Sequence, residues 1–452
     1  MSKRHPSSEF LFRTALWNVV VCGLIASMLD VGAAPAAPRL VTRDQARRLG
    51  LERAWFAQVR LDRSRNQVER AVLHGDRLTV LTSAGVVHEF NALTGETLWI
   101  AAIGNPNYPS LGPAASDGHI ALLNGSTLYV LDRADGRPVV LQQVGGAPGA
   151  APALSKEHVF VPLLSGRIEG YPLGEQTLTP WYYQSQGRAS VPPLATPRSI
   201  VWATEIGHVY VGGAEDLGVR FRLETGSEIM APPAYRSPYV YIATMSGELF
   251  AMHELTGARR AKYATGFPLA RAPAAVGERV FVTSDEPTLH CVDAVTATGL
   301  WEAPNVTQFA AASRKRVYGV DELGALVVLD AASGTLVDRM PTQGQIDALV
   351  NDQTDRLYLI SNDGMVQCLH EIGAQQPLYH QPPETEEGPA EPGTESEMET
   401  TEPLDEDEEI APRAEADDDP FGGMDDTEVE AAGEPADSED AGFDDDDPFG
   451  GF

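Results

Sequence analysis

Arg77-Leu-Thr-Val-Leu-Thr-Ser-Ala-Gly-Val-Val-His-Glu-Phe-Asn-Ala-Leu-Thr-Gly-Glu-Thr-Leu-Trp99 contains the unit that decides the fold. A short apolar run, Arg77 to Leu81, meets a turn at Gly85, returns as a second strand to Phe90, turns again through Asn91-Ala-Leu-Thr-Gly95, and leaves on a third strand through Trp99. The first run recurs eight times, with its fourth residue at 80, 122, 161, 202, 242, 282, 319 and 359. The intervals are 42, 39, 41, 40, 40, 37 and 40 residues. Near-even β-rich repeats of this length predict a propeller, one repeat per blade. Gly85, Gly166, Gly207, Gly247, Gly324 and Gly364 fall in the hairpin turn, where tight geometry demands positive φ. The second turn recurs at Leu131 to Gly136, Met252 to Gly257 and Leu329 to Gly334; its Asn or Asp can bond backbone N–H groups further along. Pro113, Pro152, Pro193, Pro233 and Pro273 mark the start of each next inner strand, a place where a missing N–H costs little.

Both ends of this array carry information. The eighth repeat has inner strands to His370 but no outer strand after them. A strand-like run, Trp55 to Asp62, precedes the first repeat and is expected to supply it, which removes the seam of an open ring. Before it, Arg43 to Leu49 reads as a short helix, with Thr42 and Gln45 spaced as a capping box and Gly50 as its stop.

The chain has 452 residues and a formal net charge of -32. From Gly373 to Phe452 there are 29 acids and one base, Arg413. The preceding 372 residues hold 36 acids and 32 bases. A nearly neutral body with an acidic tail excludes a broadly basic nucleic-acid binder. The 3 cysteines exclude a disulfide-built scaffold. Cys291 and Cys368 fall at equivalent positions of blades that are not neighbours, so two free buried thiols are expected.

The N-terminus reads as an export signal. Lys3, Arg4 and Arg13 precede an apolar run from Ala15 to Leu29, followed by small residues. Val31-Gly32-Ala33 fits a cleavage site, and Ala34-Pro35-Ala36 is the second choice. An uncleaved anchor and lipidation at Cys22 are the competing readings.

The runs Asn91 to Trp99 and Asp330 to Val337 resemble the quinoprotein, or pyrroloquinoline-quinone-like, β-propeller repeat, and the resemblance extends from Val68 to about Glu371. It implies one of two kinds of protein. One is a periplasmic dehydrogenase, whose quinone is sandwiched between a tryptophan and a vicinal cysteine disulfide above a calcium or lanthanide ion. The other is a non-catalytic scaffold, the branch that includes the propeller protein of the outer-membrane barrel-assembly machinery. This chain has no adjacent cysteines, and the outer-strand tryptophan is found at Trp99 and Trp301, with Val140, Ala261 and Asp338 elsewhere. Even spacing also leaves no room for active-site insertions. His88, His253, His290 and His370 lie in different blades, which suits strand ends bonding a turn better than one metal cage.

In the tail, Asp417 to Glu428 has acids at four positions of a calcium loop but Phe421 where an oxygen is needed. Asp419-Pro-Phe-Gly-Gly423 recurs as Asp447-Pro-Phe-Gly-Gly451. Two aromatic copies in a polar tail suggest docking with added avidity, against drift of a biased composition. Phe421, Phe449 and Phe452 are the candidate partner-docking residues. The reading is therefore all-β: a signal peptide over 1–33, an eight-bladed propeller over 40–372 with seven blades as the alternative, and a disordered acidic tail over 373–452. No catalytic residue, metal or cofactor is expected. The expected role is a monomeric, non-enzymatic scaffold in the periplasm or cell envelope, without a membrane span once the signal is removed. Its expected partners are other envelope proteins, met through the tail, and not nucleic acid. A quinoprotein-like oxidoreductase, or a small-ligand sensor using the central channel, is the alternative.

Overall fold

The computed structural model describes residues 41–174, 179–342 and 346–380. Within them the chain forms eight four-stranded antiparallel sheets. Blades 1 to 7 cover residues 68–102, 110–143, 153–184, 194–224, 234–264, 274–304 and 306–340. Blade 8 takes three strands from 346–371, and its outer strand is Leu51–Gln58, antiparallel to Met365–Glu371. The N-terminal strand thus closes the ring, and the blade count is eight.

The core is a ring of interfaces. Eight buried clusters each join two consecutive blades. Leu81 and Val87 of blade 1 meet Ile120 and Leu122 of blade 2. Tyr318 of blade 7 meets Leu357 and Leu359 of blade 8. Tyr358 of blade 8 meets Leu78 and Phe90 of blade 1. Middle strands are covered on both faces and read as continuous apolar runs, as in Arg77–Thr82. Outer strands alternate, as in Val219–Glu224. First strands of neighbouring sheets pack against one another, which places them innermost.

The turns follow the sequence chemistry. Gly85 has φ 73°, and the Asn91 side chain accepts from the N–H groups of Leu93 and Thr94, both at 2.9 Å. Pro152, Pro193, Pro233 and Pro273 directly precede inner strands, whereas Pro113 lies inside Ser110–Ala115, where the register shifts. Helix α1, Arg43–Arg48, carries the capping box of Thr42 and Gln45. None of the helices among the described residues is long and apolar enough to cross a membrane.

Two boundaries differ from expectation. The closing strand is Leu51–Gln58, four residues earlier than Trp55 to Asp62. Leu51 and Trp55 are buried on its inner side, while Asp62 instead closes a turn by accepting from Ser64. Residues 373–380, assigned to the tail by charge, lie against blade 8. Buried Arg356 donates to the Gln375 carbonyl at 2.8 Å, Asp355 and Leu378 exchange hydrogen bonds, and Thr354 bridges Tyr379. From Gly373 onward no acid occurs before Glu384, so this stretch is free of the self-repulsion expected further on.

Candidate interaction sites

One strand position organises the gaps between blades. By register it holds Trp99, Val140, Trp181, Phe221, Ala261, Trp301 and Asp338, with Trp55 in blade 8. The indoles of Trp55, Trp99 and Trp301 donate to the carbonyls of Ala92, Arg133 and Ala331 in the next blade, at 2.9, 2.9 and 3.0 Å. Each ring occupies the space a Cβ would need at Gly95, Gly136 or Gly334. Glycine is required there for that close approach as well as for φ near 70–75°. The tryptophans were expected at Trp99 and Trp301; Trp55 and Trp181 join them. Trp55 stands ahead of the repeats in sequence, and Trp181 comes 20 residues after its repeat's anchor at 161 where Trp99 and Trp301 come 19 after theirs, so neither shows the repeat's spacing. Trp181 packs edge-on against Trp202 of blade 4, with centroids 6.5 Å apart.

The same register sets the cysteines. Cys291 faces Trp301 and Cys368 faces Trp55. Both are free and buried, and burial pushes each thiol up to about 12. They occupy separate blade interfaces, so no vicinal disulfide can form and the quinone sandwich implied by the repeat does not fit. Among the described residues, no group of three or more His, Cys, Asp or Glu is placed to hold a metal.

The histidines divide. His253 accepts from the Leu255 N–H at 3.2 Å, the turn bond expected of it. His370 lies 2.8 Å from the adjacent Glu371 carbonyl. His290 is instead a core group, 3.1 Å from the Tyr263 hydroxyl and 3.3 Å from Ser284 Oγ. His88 is buried beside Phe90. Burial lowers the pKa of both His88 and His290.

Blades 1 and 2 share a buried ion pair. Arg133 donates to Glu89 at 3.1 Å and to the carbonyls of Ser116 and His74, while Thr79 donates to Glu89 at 2.6 Å. Burial raises the Glu89 pKa against the pull of Thr79 and Arg133. On the rim, the outer strands Thr97–Ala102 and Pro138–Gln143 contain no charged residue, and they expose Leu98, Ile100 and Leu141. Between blades 6 and 7 lies a cleft of about 610 Å³. Its walls include Ala303, Val306, Val327, Leu329 and Leu336, with Glu302, Glu322 and Leu323 at the rim. Phe421, Phe449, Phe452, the calcium-like run and both copies of the duplicated motif lie outside the described residues.

Eight blades and docking tryptophans define a propeller of pyrroloquinoline-quinone-like repeats. The family model described as outer membrane protein assembly factor BamB matches residues 83–265 and 246–341. The chain belongs to that family. The crystal structure of BamB from Moraxella catarrhalis is similar, with a TM-score of 0.58 and 19% identity over 71% of this chain and 97% of that one. The computationally designed Ika8 protein gives 0.55 and 17%, over 68% and 96%. At these identities the likeness is one of fold. No curated protein matches the chain.

Proposed function

We propose that this protein is an exported, non-catalytic scaffold that gathers envelope proteins during outer-membrane protein assembly. The observation that carries the reading is the family match over residues 83–341. The misfit of the quinone sandwich supports it: Cys291 and Cys368 are inert thiols inside separate blade interfaces, and function follows site residues over fold. Residues 1–33 act as the export signal, and the acidic segment beyond residue 380 recruits through Phe421, Phe449 and Phe452, with acids steering it toward basic surfaces.

The test is affinity purification from cell envelopes with the intact protein, a form ending at residue 380, and a form with all three phenylalanines changed to Ala. The intact protein is expected to retain envelope partners. The two altered forms are expected to lose a subset, and that subset should also elute as salt rises. Retention of every partner by both forms would overturn recruitment through the tail. Recovery of the intact protein without partners would overturn the scaffold reading.

A further inference from the structure

In four gaps between blades, the crossover that links an outer strand to the next inner strand also fills the gap. These crossovers are residues 103–109, 144–152, 225–233 and 265–273. Ile103 is buried between blades 1 and 2, Val144 between blades 2 and 3, Ile229 between blades 4 and 5, and Leu269 between blades 5 and 6. Each is an apolar side chain on a segment outside the strands. The Ile103 and Leu269 N–H groups bond back to the Gly85 and Thr244 carbonyls at 2.8 and 3.1 Å.

Between blades 6 and 7 the crossover is one residue. Gly299–Pro304 runs into Val306–Ala312 through Asn305 alone, which turns the chain at φ 62°. This is the 37-residue interval of the repeat. Val306 takes the plug's place and is buried with Val327 and Leu329, and the cleft opens outside them along exposed Leu336. Leu323, 81% exposed, stands at its lip. Asp321 is paired with Arg339, and Glu302 accepts from the Tyr263 hydroxyl at 3.0 Å and lies 3.3 Å from His290 Nδ1, which leaves Glu322 to set the sign of the rim.

We infer that this cleft receives from a partner protein the crossover segment that the chain itself lacks. The occupant is an extended segment carrying one branched aliphatic or aromatic side chain between small residues or proline, with a basic residue close by. The chemistry is written in the chain's own crossovers: Phe267-Pro268-Leu269-Ala270-Arg271 has the apolar group, the proline and the base that would face Glu322. The volume lies within the range of pockets that bind a defined ligand. The inference rests on the scaffold reading for the kind of partner and on the missing crossover for the site.

A fluorescent peptide copying residues 265–273 tests it directly, with the full-length protein and anisotropy as the readout. Saturable binding is expected, at least tenfold weaker for a peptide with Leu269→Asp. Leu336→Glu and Leu323→Glu alter exposed cleft residues, so they should leave the melting temperature near that of the parent and weaken binding at least tenfold. A third variant replaces Asn305 with a copy of residues 265–273, fills the cleft in cis and should abolish binding. A peptide copying Asp417 to Gly423 should bind at least tenfold more weakly, because the rim is acidic. No saturable binding up to about 1 mM, the weak limit of a specific contact, would overturn the inference. So would undiminished binding by folded Leu336→Glu and Leu323→Glu proteins, and equal binding of the acidic peptide would overturn the assigned occupant. None of these results depends on what the envelope purification recovers, so failure of the cleft and failure of the scaffold reading are separable.

Discussion

The gap between blades 1 and 2 and the gap between blades 6 and 7 start from the same device and finish differently. In both, an outer-strand indole crosses to a carbonyl of the next blade, Trp99 to Arg133 and Trp301 to Ala331. The position facing the indole is Glu89 in one and Cys291 in the other. Glu89 is joined by Arg133 and Thr79, and Ile103 seals the gap. The other gap has Phe281 stacked on Phe309 at 4.6 Å and a crossover of one residue beside an open cleft. The difference teaches that the repeated strand position holds the ring, while the variable crossover decides whether a gap is sealed.

The gap between blades 8 and 1 offers the harshest way to break this picture, because its indole, Trp55, arrives on the closing strand. A form beginning at residue 63 lacks that strand and leaves blade 8 with an unpaired edge. It is expected to lose the cooperative thermal transition and to aggregate, as read by calorimetry and light scattering. A soluble, cooperatively melting product would show that closure is dispensable.

Trp99→Ala and Trp301→Ala compare the two gaps directly. Each should cost about 3–5 kcal/mol in denaturant unfolding, as large-to-small core changes do. Trp301→Ala should lie at the upper end, because the gap beside it is already open and has no crossover side chain to settle into the cavity. The reverse order would mean that Ile103 adds nothing.

The ion pair sharpens the contrast in a different currency, charge. Arg133→Met leaves Glu89 buried without its cation and should cost about 3–5 kcal/mol. Arg133→Met combined with Glu89→Val should recover most of that loss. A double variant as unstable as the single one would show that Arg133 acts through the carbonyls of Ser116 and His74 instead.

The smallest expected effect is a pH dependence carried by the buried histidines His88 and His290. Burial holds both below 6.5 in the folded protein. The unfolded chain therefore binds more protons than the folded one as pH drops below 6.5, and stability falls with it. Their contribution is fully present above that value. His88→Gln with His290→Gln should flatten the decline in melting temperature between about pH 6.5 and 5. An unchanged slope would assign it to other groups.

Much of this architecture was legible in the chain. Eight evenly spaced β-rich runs anchor eight blades, and Thr42 with Gln45 announced the helix cap. Alignment of the repeats placed Cys291 and Cys368 at one register position. Features outside the repeat were harder to see. Glu52 and Arg53 disguise the start of the closing strand, because an outer strand turns one face to water and tolerates charge there. Trp181 lies 20 residues after its repeat's anchor and Trp99 19 after its own, a one-residue offset that obscures their equivalence. The fold of 373–380 onto blade 8 depends on the buried Arg356 and its need for carbonyl partners, a demand that charge counting does not register. The short interval was visible, but its consequence, an open cleft, required the packing of Ile103 and Leu269 for contrast.

The central claim is that this propeller works by holding proteins and not by turning over a substrate. Cross-linking in intact cells, followed by purification of the full chain, tests it most directly. The account predicts that outer-membrane assembly proteins are recovered in amounts comparable to the chain, and that adding pyrroloquinoline quinone and calcium produces no dye-linked alcohol or sugar oxidation. A chain recovered alone, with quinone-dependent turnover well above background, would contradict it.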